Sequence, residues 1–436
     1  MRFQIENIAK IKSADIELNG LTVIAGENGS GKSTVGKMLF SVIQVLKSTQ
    51  SDTIQRQQNL LQKHIDNLYT RLNIRSWRIP TSQENLPRNY QLRAQLLDGT
   101  LTIEQLKEKI NQLLADIPNL APRTKANIET DLKNISICVN NFNNRAAVQA
   151  VSIQNMIESE FMNKVCSISS EKASVFFDVS EGGNDAFIKF SITNDKVVDV
   201  FSNGQEFLQD ATYVESPLYL HMLESLRRSV QYIEVERRPI FNAMIPMHIK
   251  DFVEKMYYAK SLLVDLDGDY SFILNSIENR IKGTFRYDKD TNRLYYYSNG
   301  NKFSPINTAS GTKTFGVLQL LLQSRAIDPN RILIWDEPEN HLHPEWQVAF
   351  ADVILQLVAQ GVPIVISTHS PYFIQAVRYY ASMYGIENSV NYYFAEEGED
   401  DLSTLQEVTH DLNKVFMKLS RPLSDVMNVD KVRKHD

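Results

Sequence analysis

A chain of 436 residues, 43% hydrophobic and 22% charged, holds enough apolar material for one large core plus an inserted or appended module, since single cores rarely outgrow roughly 250 to 300 residues. A formal charge of -6 excludes a uniformly basic nucleic-acid coat while leaving a local basic face open. Cys138 and Cys166 are too few for a disulfide framework or zinc site, no apolar run reaches the ~18 residues of a membrane helix, and Met1 to Lys12 has no signal-peptide core, so a cytoplasmic protein without membrane contact is expected.

The chain opens with alternating apolar and polar residues from Phe3 to Leu18, the pattern of a half-buried antiparallel hairpin. Leu21-Thr-Val-Ile-Ala25 is a short β-branched run, predicted as a buried central strand. A helix follows from about Lys32 to Leu46, with Val35, Met38, Leu39 and Val42 on its apolar face. From about residue 51 to 159 the composition turns Gln- and Asn-rich and helix-forming, broken at Pro80, Pro87, Pro118 and Pro122. Within it, Leu61, Ile65, Leu68 and Leu72, then Ile103, Leu106, Ile110 and Leu113, carry the spacing of two short helices packed against each other, an arm or hairpin. Its mild excess of Lys and Arg over acids is compatible with a solvated helix surface or with a phosphate-facing one.

Three strands are predicted at Ala173–Val179, Ala186–Ile192 and Lys196–Phe201, a β-meander. Residues 218–281 read as largely helical, and Gly283–Tyr287 with Arg293–Ser298 as a hairpin. The last third alternates helices with hydrophobic strands.

Four constellations carry chemistry. Gly26-Glu27-Asn28-Gly29-Ser30-Gly31-Lys32-Ser33 matches G-x-x-x-x-G-K-[ST] directly after a buried strand and at the head of a helix. Its glycines let the backbone wrap phosphates, Lys32 reaches the β- and γ-phosphates, Ser33 ligates Mg²⁺, and Thr34 lies near the α-phosphate. Ile332-Leu-Ile-Trp-Asp336-Glu337 sets two carboxylates at the carboxyl end of a buried strand, where open α/β sheets bind ligands. Asp336 is the Mg²⁺ candidate, and Glu337 the group that polarises the water attacking the γ-phosphate. Pro363–Thr368 is a further buried strand ending at His369, a candidate γ-phosphate contact. Ser310, Gly311 and Thr312 open a helix, as an anion site or as an ordinary N-cap.

These elements in this order resemble the ABC ATPases, in particular the soluble branch with RecF and the structural-maintenance proteins. The wording Asp336-Glu-Pro-Glu-Asn-His-Leu-His-Pro344 with Ser367-Thr-His-Ser-Pro371 narrows the resemblance to OLD-type ATPases, including the ATPase subunits of the Septu, PARIS and retron-associated antiphage systems. The resemblance implies an α/β ABC head, a P-loop sheet plus an antiparallel β-subdomain, over residues 1–50 and 160–385. It also implies an inserted helical arm over 51–159 and a C-terminal extension over 386–436. It makes Ser310, Gly311 and Thr312 a signature loop reaching the γ-phosphate on the opposite protomer, and Asn340 to His343 a seam-lining loop. The implied assembly is a homodimer around ATP and Mg²⁺, extending to a higher oligomer, with a separately encoded nuclease or toxin effector as partner and nucleic acid as a further candidate. An alternative within the branch is a RecF-like repair ATPase that clamps DNA. The Ser-Gly-Thr-Lys signature departs from Leu-Ser-Gly-Gly-Gln, and the stretch after His369 is too short for the TOPRIM domain of OLD nucleases, so this chain is not expected to cut nucleic acid.

Overall fold

The computed structural model describes residues 1–48, 52–72, 86–115, 121–143, 145–179, 186–203, 210–236, 245–259, 270–340 and 342–421. Two compact units are present, one made of Met1–Lys47 with Ile153–Asp436 and the other of Ser48–Ser152. The expected insert limits of 51 and 159 differ from these because continuous helices cross both boundaries. They are α1 (Lys32–Ser48) and α6 (Arg145–Phe161), and an unbroken helical period carries no boundary signal.

The larger unit is built on an 11-stranded sheet. Its antiparallel wing joins β1 (Arg2–Ile8) and β2 (Ile11–Glu17) to β4 (Lys172–Asp178), β5 (Phe187–Thr193) and β6 (Lys196–Asn203), so the N-terminal hairpin and the meander are one surface. Its parallel wing runs β7 (Asp210–Val214), β11 (Arg331–Asp336), β12 (Ile364–Thr368), β3 (Leu21–Gly26) and β13 (Val390–Glu397). Strand β14 (Ser403–Glu407) bridges the wings, antiparallel to β13 and parallel to β2.

Residues 386–421 of the expected 386–436 extension are therefore no appendage: β13 and β14 lie in the middle of the sheet, and Leu412 and Val415 of the helical stretch 412–421 join the core, while residues 422–436 lie outside the described residues. The turn between β13 and β14 carries Glu399, Asp400 and Asp401, and Glu396 lies at the end of β13. Glu396 pairs with Lys414 (3.0 Å) and Lys418, and Asp400 with Lys12 (2.7 Å).

Strand alternation divides the core. Ile24, Ile332, Ile334 and Val365 face the α1 side with Val35, Leu39 and Val42. Leu21, Val23, Leu333, Trp335 and Ile366 face α10 (Ser310–Gln323), α11 (Pro344–Ala359) and α12 (Pro371–Tyr384). Burial on both faces explains why these strands read as continuous hydrophobic runs rather than alternating ones. A separate sheet of β8 (Thr284–Tyr287), β9 (Leu294–Ser298) and β10 (Asn301–Phe303) is fixed to α10 through buried Gln319. The Gln319 carbonyl accepts from Phe285 N (2.8 Å), and its amide donates to Glu278 (2.9 Å) and Thr284 (2.7 Å).

Gly316 of α10 lies under the Phe285 ring, where an added Cβ would sit 2.4 Å from ring carbons. Gly316→Ala is expected to cost about 1 to 3 kcal/mol through overpacking, read as a lower urea midpoint at unchanged slope. A variant as stable as the native chain would mean that α10 and β8 are less closely apposed.

In the smaller unit, α2 (Asp52–Arg71) lies against α5 (Pro122–Asn143) and α3 (Asn89–Leu97), and α4 (Ile103–Ala115) adds Ile103, Leu106 and Ile110 to the same core. The two periodic segments thus meet within a four-helix core instead of closing on each other. The reason is the apolar stripe of α5, Ile128, Leu132, Ile135 and Val139, which takes up the face of α2. Pro80 and Pro118, expected as breaks, lie outside the described residues.

Candidate nucleotide site

The parallel wing brings the carboxyl ends of β7, β11, β12 and β3 side by side, with Asp336 paired in register to Ser367 and Thr368 to Ala25. Strand β3 leads into the loop 26–31, and α1 starts at Lys32. Gly29 (φ 80°) and Gly31 (φ 85°) hold left-handed backbone, and a Cβ on Gly31 would stand 2.6 Å from Ile11 Cδ1, so both conformation and space demand glycine there.

The Lys32 side chain is 3% exposed and folds back over its own loop. Its amine donates to the carbonyls of Gly26 (3.0 Å) and Glu27 (2.8 Å) and lies 3.5 Å from Glu337 Oε1. Ser30 Oγ is buried without a hydrogen-bond partner among the described residues. An orphaned donor beside a buried ammonium and two left-handed glycines fits a phosphate chain, which would satisfy both.

Ser33 and Asp336 border one small cavity with Lys32, Gly36, Tyr213 and Ser367. Asp336 is oriented by two hydroxyls, Tyr213 donating to Oδ2 (3.1 Å) and Ser367 to Oδ1. One carboxylate and one hydroxyl suit Mg²⁺, which usually takes one or two carboxylates and completes its shell with phosphate oxygens and water. No cluster of three or more His, Cys, Asp or Glu able to hold a metal occurs among the described residues.

Glu337 follows β11 with φ 46°, a conformation that costs a non-glycine residue about 1 to 2 kcal/mol. Its N–H is held by Ser367 O (3.0 Å). The carboxylate accepts from Asn340 Nδ2 (2.9 Å) and lies 3.4 Å from His369 Nδ1. Burial raises its pKa, but Asn340, Lys32 and His369 outweigh burial and hold it below the ordinary carboxylate value. Glu339, two residues on, is 4% exposed and takes hydrogen bonds from Thr368 Oγ1 (2.6 Å) and His369 N (2.8 Å). Burial pushes its pKa up despite them. Two neighbouring carboxylates are thus displaced in opposite directions, the arrangement that separates an ionised acceptor from a structural partner.

The P-loop, Asp336, Glu337 and His369 therefore converge. The Ser310-Gly311-Thr312 turn opens α10 against α11, where a Cβ on Gly311 would lie 2.7 Å from the Trp346 ring. His343 caps α11 by accepting from Glu345 N (3.4 Å), and His341 lies outside the described residues. Sequence reasoning missed Tyr213, Ser367 and Glu339. Glu339, inside the Asp336–Pro344 run, and Ser367, inside the Ser367–Pro371 run, lay in the motifs, but the contacts of Ser367, like those of Tyr213, are set by strand register.

A parallel sheet whose central strand enters a glycine loop, with an acid pair ending the strand two places away, is the build of a P-loop ATPase. Residues 1–374 match the AAA ATPase domain family, and the chain belongs to that family. The Retron Vc95 probable ATPase of Vibrio cholerae serotype O1 biovar El Tor is 22% identical over 411 residues, 90% of this chain and 73% of that protein. Among solved structures, the SMC head domain from Thermotoga maritima matches at 11% identity and TM-score 0.37, covering 93% of this chain and 98% of that one. The Smc head domain with an extended coiled coil bound to the C-terminal domain of ScpA, from Pyrococcus furiosus, matches at 11% identity and TM-score 0.42, covering 96% and 98%.

Proposed function

We propose that this ATPase is an ABC-type switch that closes as a homodimer around ATP and serves as the ATPase and sensor subunit of a bacterial antiphage system, controlling a separate effector such as a nuclease or toxin. The convergence of Lys32, Glu337 and His369 at the ends of β3, β11 and β12 carries the ATPase part of this reading. The similarity to a retron ATPase supports the defence part.

In this reading the loop from Gly26 to Thr34 wraps the phosphates, and Lys32 leaves its own carbonyls for the β- and γ-oxygens. Ser33 and Asp336 would hold Mg²⁺, which neutralises phosphate charge when bound. Glu337, kept ionised, accepts a proton from the attacking water, and His369 meets the γ-phosphate beside it. Ser310, Gly311 and Thr312 reach the nucleotide of the opposite protomer. Loss of the γ-phosphate removes contacts that exist only in the closed dimer, so hydrolysis resets the switch.

The test is affinity purification of the Glu337→Gln protein from its native host in ATP and Mg²⁺. A stoichiometric nuclease or toxin that disappears with Lys32→Ala is the expected result. Recovery of DNA with no effector would overturn the defence reading in favour of a RecF-like clamp.

A further inference from the structure

Beyond the nucleotide site, the larger unit holds a chain of ionisable side chains, its inner pair Glu160 and His248 buried, that the hydrolytic reading does not use. Glu160, in the last turn of α6, has a fully buried side chain, and His248, in α8 (Met247–Tyr258), is 1% exposed. Glu160 is gripped twice by His248, from the backbone N–H (2.9 Å) and from ring Nδ1 (2.6 Å). The opposite ring nitrogen, Nε2, meets Glu215 Oε2 at 3.1 Å. Glu215 follows β7 and is also bound by Tyr219 OH (2.6 Å) and by Lys37 Nζ (3.2 Å), four residues beyond Ser33 on α1.

A second route leaves the same imidazole. The Tyr213 ring lies 5.0 Å from the His248 ring, edge-on, and the Tyr213 hydroxyl is the one that orients Asp336. Burial disfavours a charged His248, but the two carboxylates outweigh it and raise its pKa. The imidazole thus lies between two carboxylates, and one side chain touches both routes to the nucleotide site. The buried Glu160–His248 pair is costly to separate, so His248 and the last turn of α6 move together.

We propose that Glu160 and His248 are positioning residues that tie the last turn of α6 to Asp336 and to α1, so that nucleotide occupancy and the setting of α6 are coupled. α6 is the helix by which the chain returns from the smaller unit. The proposal rests on the reading of loop 26–34 as the ATP site.

The experiment is hydrogen–deuterium exchange of amides 153–161 in the full-length Glu337→Gln chain, with and without ATP and Mg²⁺, with ATP binding measured on the same samples. The expected result is a nucleotide-dependent change of at least about fivefold, the lower end of ordinary coupling between sites. That change should vanish in His248→Ala, and in Glu160→Gln, which keeps shape and removes charge, while ATP still binds. Glu160→Gln keeps the test open if His248→Ala does not fold. An unresponsive α6 in the parent chain with ATP bound overturns the coupling, as does a response that persists in Glu160→Gln. Failure of the parent chain to bind ATP overturns the reading of the site instead.

Discussion

Glu337→Gln is expected to slow ATP turnover about a hundredfold or more while ATP stays bound, since a positioned general base contributes typically 10²- to 10⁴-fold. The substitution is nearly isosteric, so the bond to Asn340 (2.9 Å) and the turn held by Ser367 are retained. What is lost is the negative charge facing Lys32 and His369. Phosphate release measured beside equilibrium ATP binding separates the two effects. Turnover within a few-fold of native would place the base elsewhere, and Glu339, whose carboxylate accepts from the His369 N–H, would be next to examine.

Lys32→Ala should act on the earlier step. Removing one partner of a buried charge pair costs about 2 to 4 kcal/mol, so the Kd for ATP should rise about thirtyfold to a thousandfold. In the native chain ATP with Mg²⁺ should raise the melting temperature by mass action, and the variant should lose most of that rise. The folded state itself should survive, because Lys32 donates mainly to carbonyls of its own loop. An undiminished ATP-induced rise would show that the lysine does not grip the phosphates.

The parts legible in the sequence share one property: their signal is contiguous. The loop from Gly26 to Ser33 and the pair Asp336-Glu337 each state strand, turn and chemistry within eight residues, and the structure brings both to strand ends with β12 between them. The contacts of Tyr213 and Ser367 to Asp336 were not legible because they are set by pairing across strands, Tyr213 opposite Ile334 and Ser367 opposite Asp336. Strands β13 and β14 were read as an extension because Val390–Glu397 ends in acids and stands beyond the last motif, and nothing local tells that it pairs with β3. Helical unit boundaries were obscured for the opposite reason, since α1 and α6 run on without a break.

The placement of β13 and β14 also bears on how the chain comes to be folded on a ribosome. Strand β3, which leads into the glycine loop, is followed by its neighbours β12 and β13 only after more than three hundred further residues. Until residue 407 has left the exit tunnel, β2 and β3 have no β13–β14 hairpin between them, and two sheet edges wait unpaired. Pairings this remote in the chain close slowly and leave a nascent protein open to aggregation, so the glycine loop is made long before the strands that flank it.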